Sequence, residues 1–151
     1  MIKRLLYISL VLFPVLLSTQ GAKAQCGEPL VEICYPKLGD FKYLNSFPIR
    51  IKKSKRGEPP TVMKHSLIFN SGTKYRFVLS NAEEFDGKLI LNLYNSQNVV
   101  KSSVEYSTGK YFDMIEFDCK KAGIYYLTFY FEDGKEGCAL CLMGQKEWKG
   151  K

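Results

Sequence analysis

The sequence offers nowhere the roughly 20 consecutive apolar residues that a membrane-spanning helix needs. Its one long apolar stretch covers residues 5–17 and is interrupted by Pro14. Histidine is nearly absent, with His65 alone, so paired imidazoles for a zinc site are excluded. No helical periodicity persists beyond a turn or two, and there is neither an internal repeat nor a low-complexity linker, which argues for a single domain. The acidic residues form no second cluster and no Asp-x-Asp spacing. The loop containing Glu83, Glu84 and Asp86 therefore reads as solvated rather than as a calcium site.

What is present begins with an export signal. Met1-Ile2-Lys3-Arg4 is a short basic region, residues 5–17 are apolar, and Ala22-Lys23-Ala24 is a small-residue cleavage pattern. This layout predicts a signal peptide over residues 1–24, with cleavage between Ala24 and Gln25 and no membrane-spanning segment afterwards. The product would be periplasmic or secreted. An alternative is lipid attachment through Cys26, two residues past Ala24, although Gln25 is not the small residue that such signals place before the cysteine. Lys3, Arg4 and Lys23 supply three of the +7 formal charges, with no acid among residues 1–24, which leaves +4 for residues 25–151. A charge that modest, in that compartment, argues against nucleic acid as a partner.

From Phe41 onward, short β-rich runs alternate with turn signals. Met63, His65, Leu67 and Phe69 share one strand face, as do Tyr75, Phe77 and Leu79, then Leu89, Leu91 and Leu93, then Tyr125, Leu127, Phe129 and Phe131. Turns fall at residues 70–73, 95–98, 107–110, 120–123 and 132–137. Pro48 marks an edge strand. Eight or nine strands at this spacing predict an all-β, antiparallel β-sandwich over residues 25–151. Only residues 28–38, with Leu30, Ile33 and Leu38 at helical spacing, suit a helix, and Pro36 limits it to a turn or two.

Three segments carry a family resemblance. Gly72-Thr73-Lys74-Tyr75-Arg76-Phe77, Lys88-Leu89-Ile90-Leu91-Asn92-Leu93-Tyr94-Asn95 and Ala122-Gly123-Ile124-Tyr125-Tyr126-Leu127 resemble the bacterial pre-peptidase C-terminal domain. That resemblance implies a jelly-roll sandwich and a non-catalytic role. The family's second motif usually carries aspartates where this chain has Lys88-Leu89-Ile90-Leu91, so no acidic or calcium site is carried over.

All five cysteines, Cys26, Cys34, Cys119, Cys138 and Cys141, follow the leader, where an oxidising compartment favours bridges over metal ligands. Five is odd, so one thiol is left over, pairs with another molecule or carries lipid. Cys138-x-x-Cys141 has redox and zinc-like spacing, and a small thiol-active protein is one functional alternative. The pair falls in a predicted strand, however, where residues three apart point to opposite faces. An N-terminal segment laid along the strand between Cys119 and Cys138 would pair Cys26 and Cys34 with those two in some order. His65 shares its face with apolar residues and reads as packed rather than as a nucleophile's base.

The remaining candidates bind rather than react. Tyr94, Tyr106, Tyr126 and Tyr130 lie opposite the main apolar rows, where aromatic faces can stack on sugars. Arg50 and Lys52 open a basic stretch that also holds Lys53, Lys55 and Arg56; it suits an anionic partner or simply a charged edge that discourages aggregation. The expectation is a non-enzymatic binding or structural module at the bacterial cell envelope, its partner an envelope protein or a glycan, with no cofactor and no metal. A carbohydrate- or matrix-binding module using Tyr94, Tyr126 and Tyr130, with Arg50 and Lys52 at a basic edge, is the narrower alternative.

Overall fold

A computed structural model describes Cys26, residues 28–96 and residues 98–148; residues 1–24, where the sequence predicts a signal peptide, and Gln25 lie outside the described residues. A short helix α1 (Glu28–Cys34) runs into a 3-10 turn (Tyr35–Leu38). Ten strands follow: β1 (Lys42–Ile51), β2 (Met63–Phe69), β3 (Thr73–Asn81), β4 (Leu89–Asn95), β5 (Asn98–Ser102), β6 (Val104–Glu105), β7 (Lys110–Tyr111), β8 (Met114–Cys119), β9 (Gly123–Phe131) and β10 (Gly137–Glu147). Sheet A has the order β1-β10-β3-β8 and sheet B the order β2-β9-β4-β5, with β6-β7 a separate ribbon. Every pairing is antiparallel. Successive long strands alternate between the sheets, and the first pairs with the last. This is the double Greek-key arrangement of a jelly roll.

Strand alternation builds the core. Phe47, Ile49 and Ile51 of β1, Tyr75, Phe77 and Leu79 of β3, and Ala139, Cys141 and Met143 of β10 point inward from sheet A. From sheet B come Phe69, Leu89, Leu91, Leu93, Leu127, Phe129 and Phe131. Phe69 stacks on Tyr75 at 4.0 Å and on Tyr125 at 5.0 Å between ring centroids, so β2, β3 and β9 are tied by aromatic contact. Each such side chain, once buried, contributes about 1.5–3 kcal/mol. The residues of the resembling motifs serve this architecture. Gly72 takes a left-handed φ of 73° at the β2–β3 turn, and Tyr75, Phe77 and Tyr125 are buried.

The strand count exceeds the expected eight or nine because residues 99–106 split into β5 and β6 and the short β7 pairs with β6. Ser103 causes the break. It is buried, its Oγ accepts a hydrogen bond from the Leu91 N–H at 2.9 Å, and its own N–H donates to the Leu91 carbonyl at 2.9 Å. Pro48 sits within β1, an edge strand, as a residue without an N–H requires.

The N-terminal segment lies on the outer face of sheet A. Leu30, Cys34 and Leu38 pack there against Val78, Leu140 and Leu142. The buried stripe therefore uses Cys34 rather than the expected Ile33, which is exposed; the i, i+4, i+8 spacing of Leu30, Cys34 and Leu38 holds one face through the helix and the 3-10 turn. Arg76 on β3 fixes the turn's end by donating from Nη1 to the Leu38 carbonyl at 2.9 Å, while its Nε donates to Glu116 at 2.9 Å. Gly144 permits the close approach, since a Cβ there would come within 2.9 Å of the Phe41 Cβ and 3.0 Å of a Leu38 methyl. As a result residues 137–144 of β10 are buried throughout.

The same layout keeps one half of the expected cysteine pairing and corrects the other. Cys26 is bonded to Cys138, with 5.7 Å between Cα atoms, whereas Cys34, Cys119 and Cys141 are free and buried. Cys34 belongs to the cluster outside sheet A and Cys119 to the core inside it, so a layer of backbone separates them. The segment crosses β10 and β3, not the strand between Cys119 and Cys138. A Cys26 sulfur engaged in a bridge has no valence left for a thioether lipid, which corrects the lipid-anchored alternative. Among the described residues no helix is long and apolar enough to cross a membrane.

Candidate functional site

The inward rows of sheet B dictate what faces outward. Because Leu127, Phe129 and Phe131 turn in, Tyr126, Thr128 and Tyr130 of β9 turn out; Ile90, Asn92 and Tyr94 of β4 and Lys64, Ser66 and Ile68 of β2 do the same. The register then assembles the face. Tyr126 pairs directly with Tyr94 on one side and Ser66 on the other, while Thr128 lies between Lys64 and Asn92. Three of the tyrosines singled out in the sequence, Tyr94, Tyr126 and Tyr130, are thus half-buried neighbours on one sheet face.

A shallow depression of about 270 Å³ lies here, lined by Lys64, Tyr94, Ser96, Tyr126 and Thr128. The Lys64 ammonium stands 4.2 Å from the centroid of the Tyr126 ring, so a cation covers one side of that ring. Toward the β6-β7 ribbon the face is polar and ordered. The Ser102 hydroxyl donates to Asn92 Oδ1 at 2.6 Å, and the Tyr106 and Tyr130 hydroxyls share a hydrogen bond of 2.6 Å. Burial, helped by the Tyr106 contact, pushes the Tyr130 phenol well above its ordinary value, so it stays protonated and able to donate. Half-exposed aromatic rings beside hydroxyl, amide and ammonium groups can stack on the C–H face of a pyranose and hydrogen-bond its hydroxyls.

No family model matches the chain, and no curated protein does.

Arg50 and Lys52 are not part of the tyrosine face. They belong to the end of β1, at the edge of sheet A, and to the loop that follows it. With Lys53, Lys55, Glu58 and Val62 they line a second, larger cleft of about 470 Å³. The sandwich sets the two places on different sheets, joined only through the start of β2, where Met63 lines the cleft and Lys64 the depression.

The reactive candidates are held in packing. His65 turns inward, its ring 5.1 Å from Phe47 and 6.0 Å from Phe129, with Nε2 buried and unpartnered. Cys138 and Cys141 face opposite sides of β10, the first bridged and the second in the core, where burial raises the thiol well above its usual range. The Cys34 thiol is likewise pushed up by burial. Glu83, Glu84 and Asp86 lie exposed between β3 and β4, and among the described residues no three acidic, cysteine or histidine side chains are placed to hold a metal.

Lys64, Ser96, Asn92 and Thr128 were not singled out by their sequence alone. Alternation assigns Lys64, Asn92 and Thr128 to outward positions, but only the β2-β9-β4 register shows that they surround Tyr126.

Proposed function

We propose that this chain is an exported, non-enzymatic jelly-roll module of the bacterial cell envelope that binds carbohydrate on the outer face of sheet B. The observation that carries the reading is the side-by-side placement of Tyr94 and Tyr126 across β4 and β9, half-exposed and flanked by Lys64 and Thr128. The resemblance of residues 72–131 to the pre-peptidase C-terminal domain supports the non-catalytic part, because its glycines and aromatics serve turns and core. The raised thiols of Cys34 and Cys141 support it too, since a buried neutral thiol is a poor nucleophile.

The test is titration of residues 25–151 with a panel of oligosaccharides, comparing the native protein with Tyr94→Ala, Tyr126→Ala and the double variant. Each single change is expected to weaken binding by about tenfold, or roughly 1.4 kcal/mol, with little change in melting temperature. A double variant that binds its glycan as tightly as the native protein sinks the reading.

A further inference from the structure

The basic cleft beside β1 is a built feature and not a loose charged loop. The Ser54 N–H donates to the Gly134 carbonyl at 2.8 Å, the Thr61 N–H to Ser54 Oγ at 3.1 Å and the Glu58 N–H to the Lys55 carbonyl at 3.0 Å. These bonds fold residues 52–62 back on themselves and against the β9–β10 turn. Into the resulting cleft the chain brings Arg50, Lys52, Lys53 and Lys55 against one carboxylate, Glu58. Elsewhere Lys37 pairs with Asp113, Lys74 with Glu116 and Asp118, and Lys146 with Asp40, while lysines such as Lys42, Lys101 and Lys120 stand exposed without a carboxylate within 4.0 Å among the described residues. What sets the cleft apart is that four cations line one depression. Among the described residues none of the four cleft cations has a carboxylate within 4.0 Å. Four like charges gathered without partners repel one another, and an anion from outside relieves that repulsion.

The cleft is also in line with the tyrosine face. It ends at Met63, and Lys64, one residue on, carries positive charge over Tyr126. From β4 across β9 to β2 is two strand spacings, about 10 Å, so an extended oligosaccharide lying across Tyr94 and Tyr126 reaches the start of β2 within two or three sugar units.

We infer that the ligand is an acidic polysaccharide: the tyrosine face stacks its sugar rings, and Arg50, Lys52, Lys53 and Lys55 receive its carboxylate or sulfate groups. This rests on the carbohydrate reading above and adds to it the sign of the ligand's charge. A glycan fits better than a membrane surface because the aromatic face is ringed by Ser66, Ser96 and Thr128, groups that match hydroxyls rather than acyl chains.

The experiment uses residues 25–151 with their disulfide intact and four probes: polygalacturonate, an uncharged glucan oligosaccharide, poly-glutamate, and vesicles of phosphatidylglycerol. Polygalacturonate is expected to bind about tenfold or more tighter than the neutral glucan at low salt, and to lose that advantage as salt shortens the screening length to about 8 Å. Changing Lys52, Lys53 and Lys55 together to Gln should remove the tenfold preference and leave neutral-glucan binding unchanged, whereas Tyr94→Ala with Tyr126→Ala should weaken both. Equal affinity for charged and neutral glycans, or an unchanged preference in the lysine variant, overturns the inference while leaving carbohydrate binding intact. Poly-glutamate or the vesicles binding as tightly as polygalacturonate overturns it in favour of a protein or lipid partner. Binding of both glycans by the tyrosine double variant as tightly as by the native protein instead removes the carbohydrate reading itself.

Discussion

On sheet A the outer face is closed by Leu30, Cys34 and Leu38 packed over Val78, Leu140 and Leu142, and the closure is bolted by Cys26–Cys138. On sheet B the turn between β6 and β7 reaches only the β4 side of the corresponding face, where Ile90 and Asn92 are buried and Tyr106 bonds Tyr130. The rest of the face leaves Tyr94, Tyr126, Lys64 and Ile68 half-buried or exposed. The sequence composition of the two faces follows this difference. Where the face is covered, β10 is apolar on both sides, Cys138 to Met143 without interruption. Where it is open, β9 alternates the buried Tyr125, Leu127, Phe129 and Phe131 with the outward Tyr126, Thr128 and Tyr130. One sheet face is thus devoted to stability, the other is available for recognition, and substitutions on them should have separable effects.

The largest expected effect is loss of the bolt. Cys26→Ser with Cys138→Ser should cost about 2–5 kcal/mol, read as a lower denaturant midpoint and as early proteolysis of residues 26–38. An unchanged midpoint would mean that apolar packing alone holds the segment. Next come matched truncations. Leu142→Ala on the covered face should cost about 2–5 kcal/mol in stability, whereas Tyr126→Ala on the open face should leave stability nearly unchanged and affect glycan binding. Equal destabilisation by the two would erase the distinction between the faces.

His65→Phe is expected to stabilise by about 1 kcal/mol, because it keeps the contacts to Phe47 and Phe129 and removes a buried nitrogen without a partner. Thermal melts at neutral pH read this directly. The smallest effect concerns the corner of the N-terminal segment. Lys146 bonds Asp40 at 2.9 Å and holds its carboxyl below the ordinary 3.8. A depressed carboxyl stabilises the fold above its unfolded value and loses that contribution as pH falls through the folded one. Asp40→Asn should therefore melt slightly earlier than the native protein at neutral pH, with the gap closing below pH 3.8.

Much of this architecture was readable from residue order. The inward rows 63–69, 75–79, 89–93 and 125–131 set sandwich layers and the outward position of Tyr94, Tyr126 and Tyr130. Pro48 announced its edge, and Pro36 the end of the helix. Less readable was β10, since a strand buried on both faces loses its alternation and hides which side each cysteine takes. Residues 99–106 look like one strand because Ser103 breaks it by a side-chain hydrogen bond across the sheet, an interaction that has no local signature. The grouping of Lys64 with Tyr126, and the separation of Arg50 and Lys52 from both, depend on strand order, which only tertiary pairing decides.

The bridge joins residues 112 positions apart, and β1 finds its hydrogen-bonding neighbour only in β10. A chain of this topology cannot complete sheet A until its last strand is available, and contacts so distant form slowly. Completion of sheet A is therefore a late event in folding, and the Cys26–Cys138 bridge records that the two ends of the fold have found each other.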